Sequence, residues 1–331
     1  MEKQHSFMVR VTCMTYNHAP YIVDAMNGFA MQQTTFPYIC VIIDDFSTDG
    51  EQEVITHYLE ENFDLTDQTI VKTKETENYR RTFARHKSNL NCFFLVILLK
   101  YNHYSIGKPS GYIRGWEECK YNAICEGDDY WIDPLKLQKQ VEFMEENPLY
   151  NMVYTNYKEN RNGIIKDGSW PPLLDGDCIK QYLLRQGFIP TASVLFRHSF
   201  TFDFDYAKED YPLGDAPLWI QLMHSSPIKL LPDATTVYRI LDESASHSKS
   251  YLHQINFLIG ALQCRKFFAD KYGYEDVSQI LGKEIKTNSL LLELYQGNYK
   301  TFLSGKPWKY NIGIRGIIGV LKNKYNDKNH Q

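Results

Sequence analysis

Three acids crowd into four positions of AICEGDDYWIDP, residues 123 to 134, where Glu126, Asp128 and Asp129 follow an apolar run and precede an aromatic pair and a proline. Carboxylates this close repel one another, which raises their pKa values unless positive charge sits among them. A divalent cation with oxygen ligands supplies such charge, since it binds through one or two carboxylates and completes its shell elsewhere. The alternative is a solvated acidic turn between a strand and a helix. A second acid pair, Asp44 and Asp45, ends the apolar run YICVIIDD at residues 38 to 45. In open α/β sheets, ligands bind at the carboxyl ends of the strands. Two acidic strand ends on one sheet are hard to explain by stability, and they favour a ligand site over a turn.

Other residues have the types such a site needs. Asp215 follows Gly214 in YPLGDAPLWIQLM, just ahead of an expected helix, where an acid serves as a proton acceptor or as an N-cap. Lys108, after Gly107, either faces an anionic ligand or is a solvated lysine, and His247 lies in the Ser-rich loop LDESASHS. Trp131, Trp170, Tyr211 and Trp219 stack on a ring-shaped ligand or fill the core.

The elements that must position these groups follow from periodicity. MVRVTCM (8 to 14) is a β-branched apolar strand ending in the loop TYNHAP. YIVDAMNGFAMQQ (21 to 33) has helical spacing, YICVIIDD is a buried strand, and STDGEQEVITHYLEEN opens on a Ser/Thr/Asp cap before an amphipathic helix. Strand, helix, strand, helix predicts a parallel sheet. Residues 64 to 90 are polar and basic without a period and predict an insertion or mobile loop. CFFLVILLKYNHYSIGK predicts a helix leading into a loop; YNAIC, YNMVYTN and KLLPDATTVYRI predict strands; FIPTASVLFRHSF predicts an extended stretch crossing the sheet. After residue 251 two helical segments precede a basic, aromatic tail, KPWKYNIGIRGIIGVLKNKYNDK, which is expected either to pack as a helix on the catalytic domain or to rest on a membrane.

Composition bounds the function. The chain has 331 residues, 43% of them hydrophobic and 23% charged, as an ordinary globular protein does. A formal net charge of −4 argues against nucleic acid as the main partner. Seven cysteines without CxxC spacing read as small buried hydrophobes in a reducing compartment. The N-terminus MEKQHSFMVR lacks the apolar core of a signal peptide, and the apolar run CFFLVILL falls far short of the roughly 18 residues needed to cross a bilayer. A cytoplasmic protein with at most peripheral contact to the inner face of the membrane is expected.

VRVTCMTYNHAPYI, VIIDDFSTDG, CEGDDYW and GDAPLW, in that order between Val9 and Trp219, together resemble the family 2 glycosyltransferases. The resemblance implies the GT-A fold: a Rossmann-like, nucleotide-sugar-binding domain with a mixed, mostly parallel sheet flanked by helices. Residues 1–250 are then the catalytic domain and 251–331 a helical region carrying the tail. Carried over by position, it implies that Thr15 and Tyr16 meet the nucleotide, with Tyr16 against the uracil ring and Asp45 on its amide edge. Asp128 approaches the ribose, and Asp129 ligates Mg²⁺ or Mn²⁺, with Glu126 and Asp128 as an alternative acid-x-acid pair. Lys108 faces the diphosphate, His247 resembles a loop histidine that reaches the metal or diphosphate, and Asp215 is the base of an inverting transfer. The partners implied are a nucleotide sugar, UDP-linked, and a glycan or lipid-linked acceptor. EGDDYWIDPLKLQKQVEFME resembles a bacterial subgroup that builds surface polysaccharides such as capsule or lipopolysaccharide. Residues 64 to 105 and Met14 depart from the family pattern, leaving Arg81, Arg85 or Lys87 as other contacts for the diphosphate. The rival readings are a nucleotidyltransferase, whose Gly-rich basic loop TYNHAP lacks, a nucleotide-sugar hydrolase, and a non-catalytic nucleotide-sugar-binding scaffold.

Overall fold

Alternation of buried and half-exposed residues along FMVRVTCMT makes β1 (Phe7–Thr15), with Val9, Val11, Cys13 and Thr15 on the buried face. The computed structural model describes residues 7–104, 119–173, 178–203, 211–212, 214–241 and 250–329. They fall into two compact units. The first comprises the chain as far as Pro172 together with Phe188–Phe200 and Ser226–Ile240. After β1 come α1 (Ile22–Ala30), β2 (Tyr38–Asp44), α2 (Glu51–Asn62), β3 (Phe63–Asp64), β4 (Lys72–Glu75), β5 (Tyr79–His86), β6 (Cys92–Leu99), β7 (Cys119–Ile124), β8 (Tyr130–Trp131), α3 (Lys136–Glu146), β9 (Met152–Arg161) and β10 (Ile164–Asp167). The second unit contributes α4 (Cys178–Leu183), the first unit β11 (Leu195–Arg197), the second α5 (Ala216–Ser225), and the first β12 (Ile228–Arg239).

The strands form one mixed sheet in the order β3-β5-β6-β2-β1-β7-β11-β9-β12-β8, with β4 beside β5 and β10 beside β9. Its centre, β6-β2-β1-β7, is parallel, and antiparallel strands extend it on both sides. All seven residues of β2 are buried because both faces are covered. On one face Val9, Val11, Cys13, Cys40 and Ile42 pack with Ile22, Met26 and Phe29 of α1, Ile55 and Leu59 of α2, and Leu137 and Val141 of α3. On the other, Ile39, Val41 and Ile43 pack with Leu95, Ile97 and Leu99 of β6 and Phe83 of β5.

Two expectations are corrected. CFFLVILL is a strand, paired in parallel with β2 from Tyr38↔Cys92 to Asp44↔Leu98, and not a helix. A short, wholly apolar run suits a strand buried on both faces as well as it suits a buried helix, and only pairing decides between them. Residues 64 to 90 are likewise not a mere loop, since β4 and β5 make an antiparallel ribbon and β5 lies along β6 from Tyr79↔Leu99 to Arg85↔Phe93. β4, KTKE, is exposed throughout, and its charges suit a strand at the margin of a sheet.

The second unit takes Leu173–Gly187, Thr201–Ser225 and the chain from Leu241 onward. Its further helices are α6 (Tyr251–Lys271), α7 (Glu275–Gln296), α8 (Tyr299–Ser304) and α9 (Ile314–Asn329). Ion pairs Lys180–Asp276 at 2.5 Å and Arg185–Glu284 at 2.7 Å tie the α4 segment to α7. No two of the seven cysteines form a disulfide, and six are buried, as small hydrophobes would be.

Candidate functional site

The carboxyl ends of β1 and β2 are level, and the chain after β7 runs on beside the end of β1. Thr15 pairs with Asp44, Thr12 pairs with Ile124, and main-chain bonds continue past the strand ends from Asp45 N to Thr15 O at 3.0 Å and from Gly127 N to Met14 O at 3.0 Å. From β1 the chain steps to β2 on one side and later to β7 on the other, so strand order reverses at β1. That is where an open α/β sheet presents its ligand crevice.

Three loops meet here. The loop after β1 carries Tyr16, 44% exposed, and Asn17, whose φ of 57° lies in the left-handed region. The loop after β2 carries Phe46, also left-handed at φ 65° and 43% exposed, a conformation that a bulky residue holds only when its surroundings over-determine it. Glu51, the first residue of α2, supplies much of that constraint. Its fully buried carboxylate accepts from the Thr15 hydroxyl, from His18 N at 2.8 Å and from the Ser47 hydroxyl at 2.8 Å. Burial pushes the Glu51 carboxyl up, and these hydrogen bonds partly offset the push. Asn17 adds two links, its N–H to Ser47 Oγ and its Oδ1 from Thr48 N, both at 2.8 Å.

The third loop, after β7, carries the acid cluster. Gly127 is required by close approach, because a Cβ there would lie 2.1 Å from Thr15 Oγ1. Glu126 is exposed, Asp128 is half-buried with Oδ2 4.0 Å from His18 Nε2, and Asp129 is buried. Burial first, and the neighbouring charge of Asp128 second, hold the Asp129 carboxyl well above the usual carboxylate range.

Part of the positive charge that the sequence demands comes from Arg239, at the end of β12. Its main-chain N–H donates to Asp129 Oδ1 at 2.8 Å, and its guanidinium donates to the Asp128 carbonyl and, at 2.8 Å, to Asp24 Oδ2 of α1. The guanidinium is 4.6 Å from the Tyr21 ring and 4.8 Å from the Tyr130 ring. Sequence reasoning missed Arg239, His18 and Glu51. The only signal for Arg239 was a lone arginine closing the apolar strand run ATTVYRI.

Asp45 is buried, and its two carboxylate oxygens accept from His103 N at 2.7 Å and Tyr104 N at 3.0 Å. It therefore pins the segment after β6 beside the site. The Thr15 hydroxyl is committed to Glu51. Lys87 is spoken for as well, donating to the carbonyls of Glu60 and Glu61 at the end of α2 at 3.0 and 2.7 Å. Of the four rings that could stack on a ligand or fill the core, two fill the core. Trp131 is buried against Phe29, with Nε1 donating to Ala192 O at 2.8 Å, and Trp219 is buried in the second unit. Trp170 is exposed, and Tyr211 lies 6.3 Å from the Phe267 ring. Lys108 and His247 lie outside the described residues.

Asp215 belongs to the second unit, at the start of α5. Its carbonyl accepts from Leu218 N at 2.9 Å and Trp219 N at 3.2 Å, which opens the helix through main chain. Its side chain is half-buried, and its charge is felt by Tyr182, whose hydroxyl burial and then Asp215 raise above the ordinary value.

The acids fit a hard divalent cation: the donors are oxygens alone, and Asp129 is an acid whose surroundings disfavour its charge until a cation arrives. Among the described residues no three His, Cys, Asp or Glu side chains converge on one point. The protein would thus supply Asp129 and one neighbour, with the other ligands coming from water or a bound anion.

No family model matches the chain. It is 29% identical over 234 residues to uncharacterised proteins of Mycobacterium bovis and Mycobacterium tuberculosis, a stretch covering 69% of this chain and 58% of each relative. The chain thus matches little more than half the length of those relatives. S. aureus TarS 1-349, solved in complex with UDP-GlcNAc, superposes over 92% of this chain and 91% of its own with a TM-score of 0.50 at 14% identity. The mixed sheet, its flanking helices and the C-terminal helices make the GT-A fold.

Proposed function

We propose that the chain is a nucleotide-sugar-dependent glycosyltransferase of family 2, inverting and metal-assisted, which moves a sugar from a UDP-sugar to a glycan or lipid-linked acceptor in bacterial surface-polysaccharide synthesis. The observation that carries the reading is the pair Asp128 and Asp129 at the carboxyl ends of β1, β2 and β7, with Asp129 buried and its carboxyl pushed up. The GT-A fold and the UDP-GlcNAc bound to TarS support the nucleotide class.

In this reading the exposed ring of Tyr16 stacks on the base, and Asp45 holds the base-side wall through the His103 and Tyr104 amides. Asp128 meets the ribose, while Arg239 orients the acid loop through its guanidinium on the Asp128 carbonyl and its main-chain N–H on the Asp129 carboxylate. Asp129 would hold Mg²⁺ or Mn²⁺, which would supply Lewis-acid stabilisation of the charge on the departing diphosphate. Asp215 takes the proton of the acceptor hydroxyl as that oxygen attacks the anomeric carbon opposite the leaving group, and no covalent sugar-enzyme intermediate forms. Lys108 and His247 are the residues proposed to face the diphosphate or the metal.

A panel of nucleotide sugars incubated with the full chain and Mn²⁺, with UDP release as the readout and with and without a glycan acceptor pool, tests the function. Acceptor-stimulated release from one donor is expected. Acceptor-independent release would make the protein a hydrolase, and pyrophosphate exchange a nucleotidyltransferase. UDP binding with no turnover for any donor would leave a binding module.

A further inference from the structure

Within the second unit, α9 has two unlike faces. Inward, Val320 is buried in a cluster with Leu290, Leu294 and Phe302, and Ile312 and Ile317 pack against it. Asp327 also turns inward, its Oδ2 accepting from the Tyr295 hydroxyl at 2.7 Å and from Tyr251 N at 3.1 Å. Outward, Ile314, Ile318, Leu321 and Tyr325 are between 40% and 76% exposed. Their spacing of four, three and four residues at about 100° per residue sets them on one stripe along the helix. By the same geometry Arg315 and Lys322, both exposed, border one edge of the stripe, whereas Lys324 turns inward with its amine 6.0 Å from the Tyr299 ring. Trp308, 64% exposed, projects from the 3₁₀ turn Pro307–Tyr310 between Lys306 and Lys309.

The charge of this segment opposes that of the whole chain. From Tyr295 to Gln331 the sequence has seven Lys or Arg and one acid, the inward-turned Asp327, whereas the full chain carries −4. We propose that this face of α9, with Trp308, docks on an anionic lipid surface. A narrow apolar stripe with Arg315 and Lys322 along one edge, and Trp308 between Lys306 and Lys309 before its start, matches the boundary between acyl chains and acidic headgroups. A second copy of the chain is the poorer occupant, since a two-fold pairing would lay cationic borders against cationic borders. No helix among the described residues is long and apolar enough to cross a bilayer, so the contact lies on the membrane plane. The proposal does not depend on the transferase reading.

The test is sedimentation of the full chain with vesicles of phosphatidylcholine alone or with 40% phosphatidylglycerol, at about 50 and 500 mM salt. Binding is expected only to the anionic vesicles, falling at high salt by about fivefold for each basic residue engaged. Ile318→Asp with Leu321→Asp, both at exposed positions, should lower binding at least about tenfold while leaving the circular dichroism unchanged. Arg315→Glu with Lys322→Glu, both at exposed positions, should do the same. Three results would overturn the proposal: wild-type protein left in the supernatant at low salt, either double variant pelleting like wild type, or gel filtration showing a dimer that the Asp variant dissolves while vesicle binding is absent.

Discussion

Arg239→Gln removes a guanidinium that is only 9% exposed from beside Asp128 and Asp129. The bond to the Asp128 carbonyl is charge-assisted and screened little, and such bonds contribute about 1.5–3 kcal/mol. The partner carboxylate of Asp24 is 52% exposed, so that ion pair adds under about 1 kcal/mol. The Tyr21 and Tyr130 rings, at 4.6 and 4.8 Å, contribute about 0.5–1 kcal/mol each. These contributions do not add fully, and the amide recovers some hydrogen bonding, so an expected loss of about 2–4 kcal/mol is reasonable. Urea denaturation followed by circular dichroism measures it. The charge argument also makes a second, independent demand: with the guanidinium gone, Mn²⁺ should stabilise the variant more than it stabilises wild type, because the ion then supplies charge that Arg239 no longer does. A variant within 0.5 kcal/mol of wild type, with the same Mn²⁺ response, would refute the assignment of Arg239 as the counter-charge of the acid loop.

Asp129→Asn should abolish metal-dependent turnover yet leave the metal-free protein at least as stable at pH 7, since a carboxyl raised in the folded state stabilises only at low pH and loses that contribution as pH rises through its folded value; a melt without metal checks this. Lys136 is buried, with its amine 4.4 Å from the Trp131 ring, and burial lowers its pKa to about 7. Between that value and 10.5 the unfolded chain holds a proton that the folded chain lacks, so stability rises with pH; between pH 7.5 and 9.5 wild type should gain about 2 kcal/mol relative to Lys136→Met in urea denaturation, and parallel profiles would count against it. Gly127→Ala should destabilise by about 1–3 kcal/mol and weaken UDP binding in calorimetry, because the new methyl group displaces Thr15 from Glu51. Asp215→Asn should reduce transfer by about two to four orders of magnitude while UDP-sugar binding persists, and near-normal turnover would send the search for the base to Glu209, Asp210 or Asp242, which lie outside the described residues.

Local chemistry made much of this protein legible without a structure. The apolar runs of β1, β2 and β7 end in polar turn residues and acids, and strands so composed bury their length and release their ends as loops, which is why the acid pairs were expected at one edge of a sheet. The helices α1, α2 and α5 followed from spacing in the same way. Cys92–Leu99 reads equally well as a helix because eight apolar residues carry no period; of the partners that make it a strand, β2 is distant in sequence, and the adjacent β5 lies in a polar stretch with no period of its own. Trp131 was weighed as a stacking ring because burial is a property of the packed sheet and not of the residue. The counter-charge was invisible for a related reason. Crowded carboxylates announce that a cation is needed, but Arg239 stands 110 positions from Asp129, and only the strand order β9-β12-β8 delivers it there. Sequence therefore states the electrostatic demand of the acid loop, while the choice of which distant group meets it belongs to long-range pairing, which no local pattern encodes.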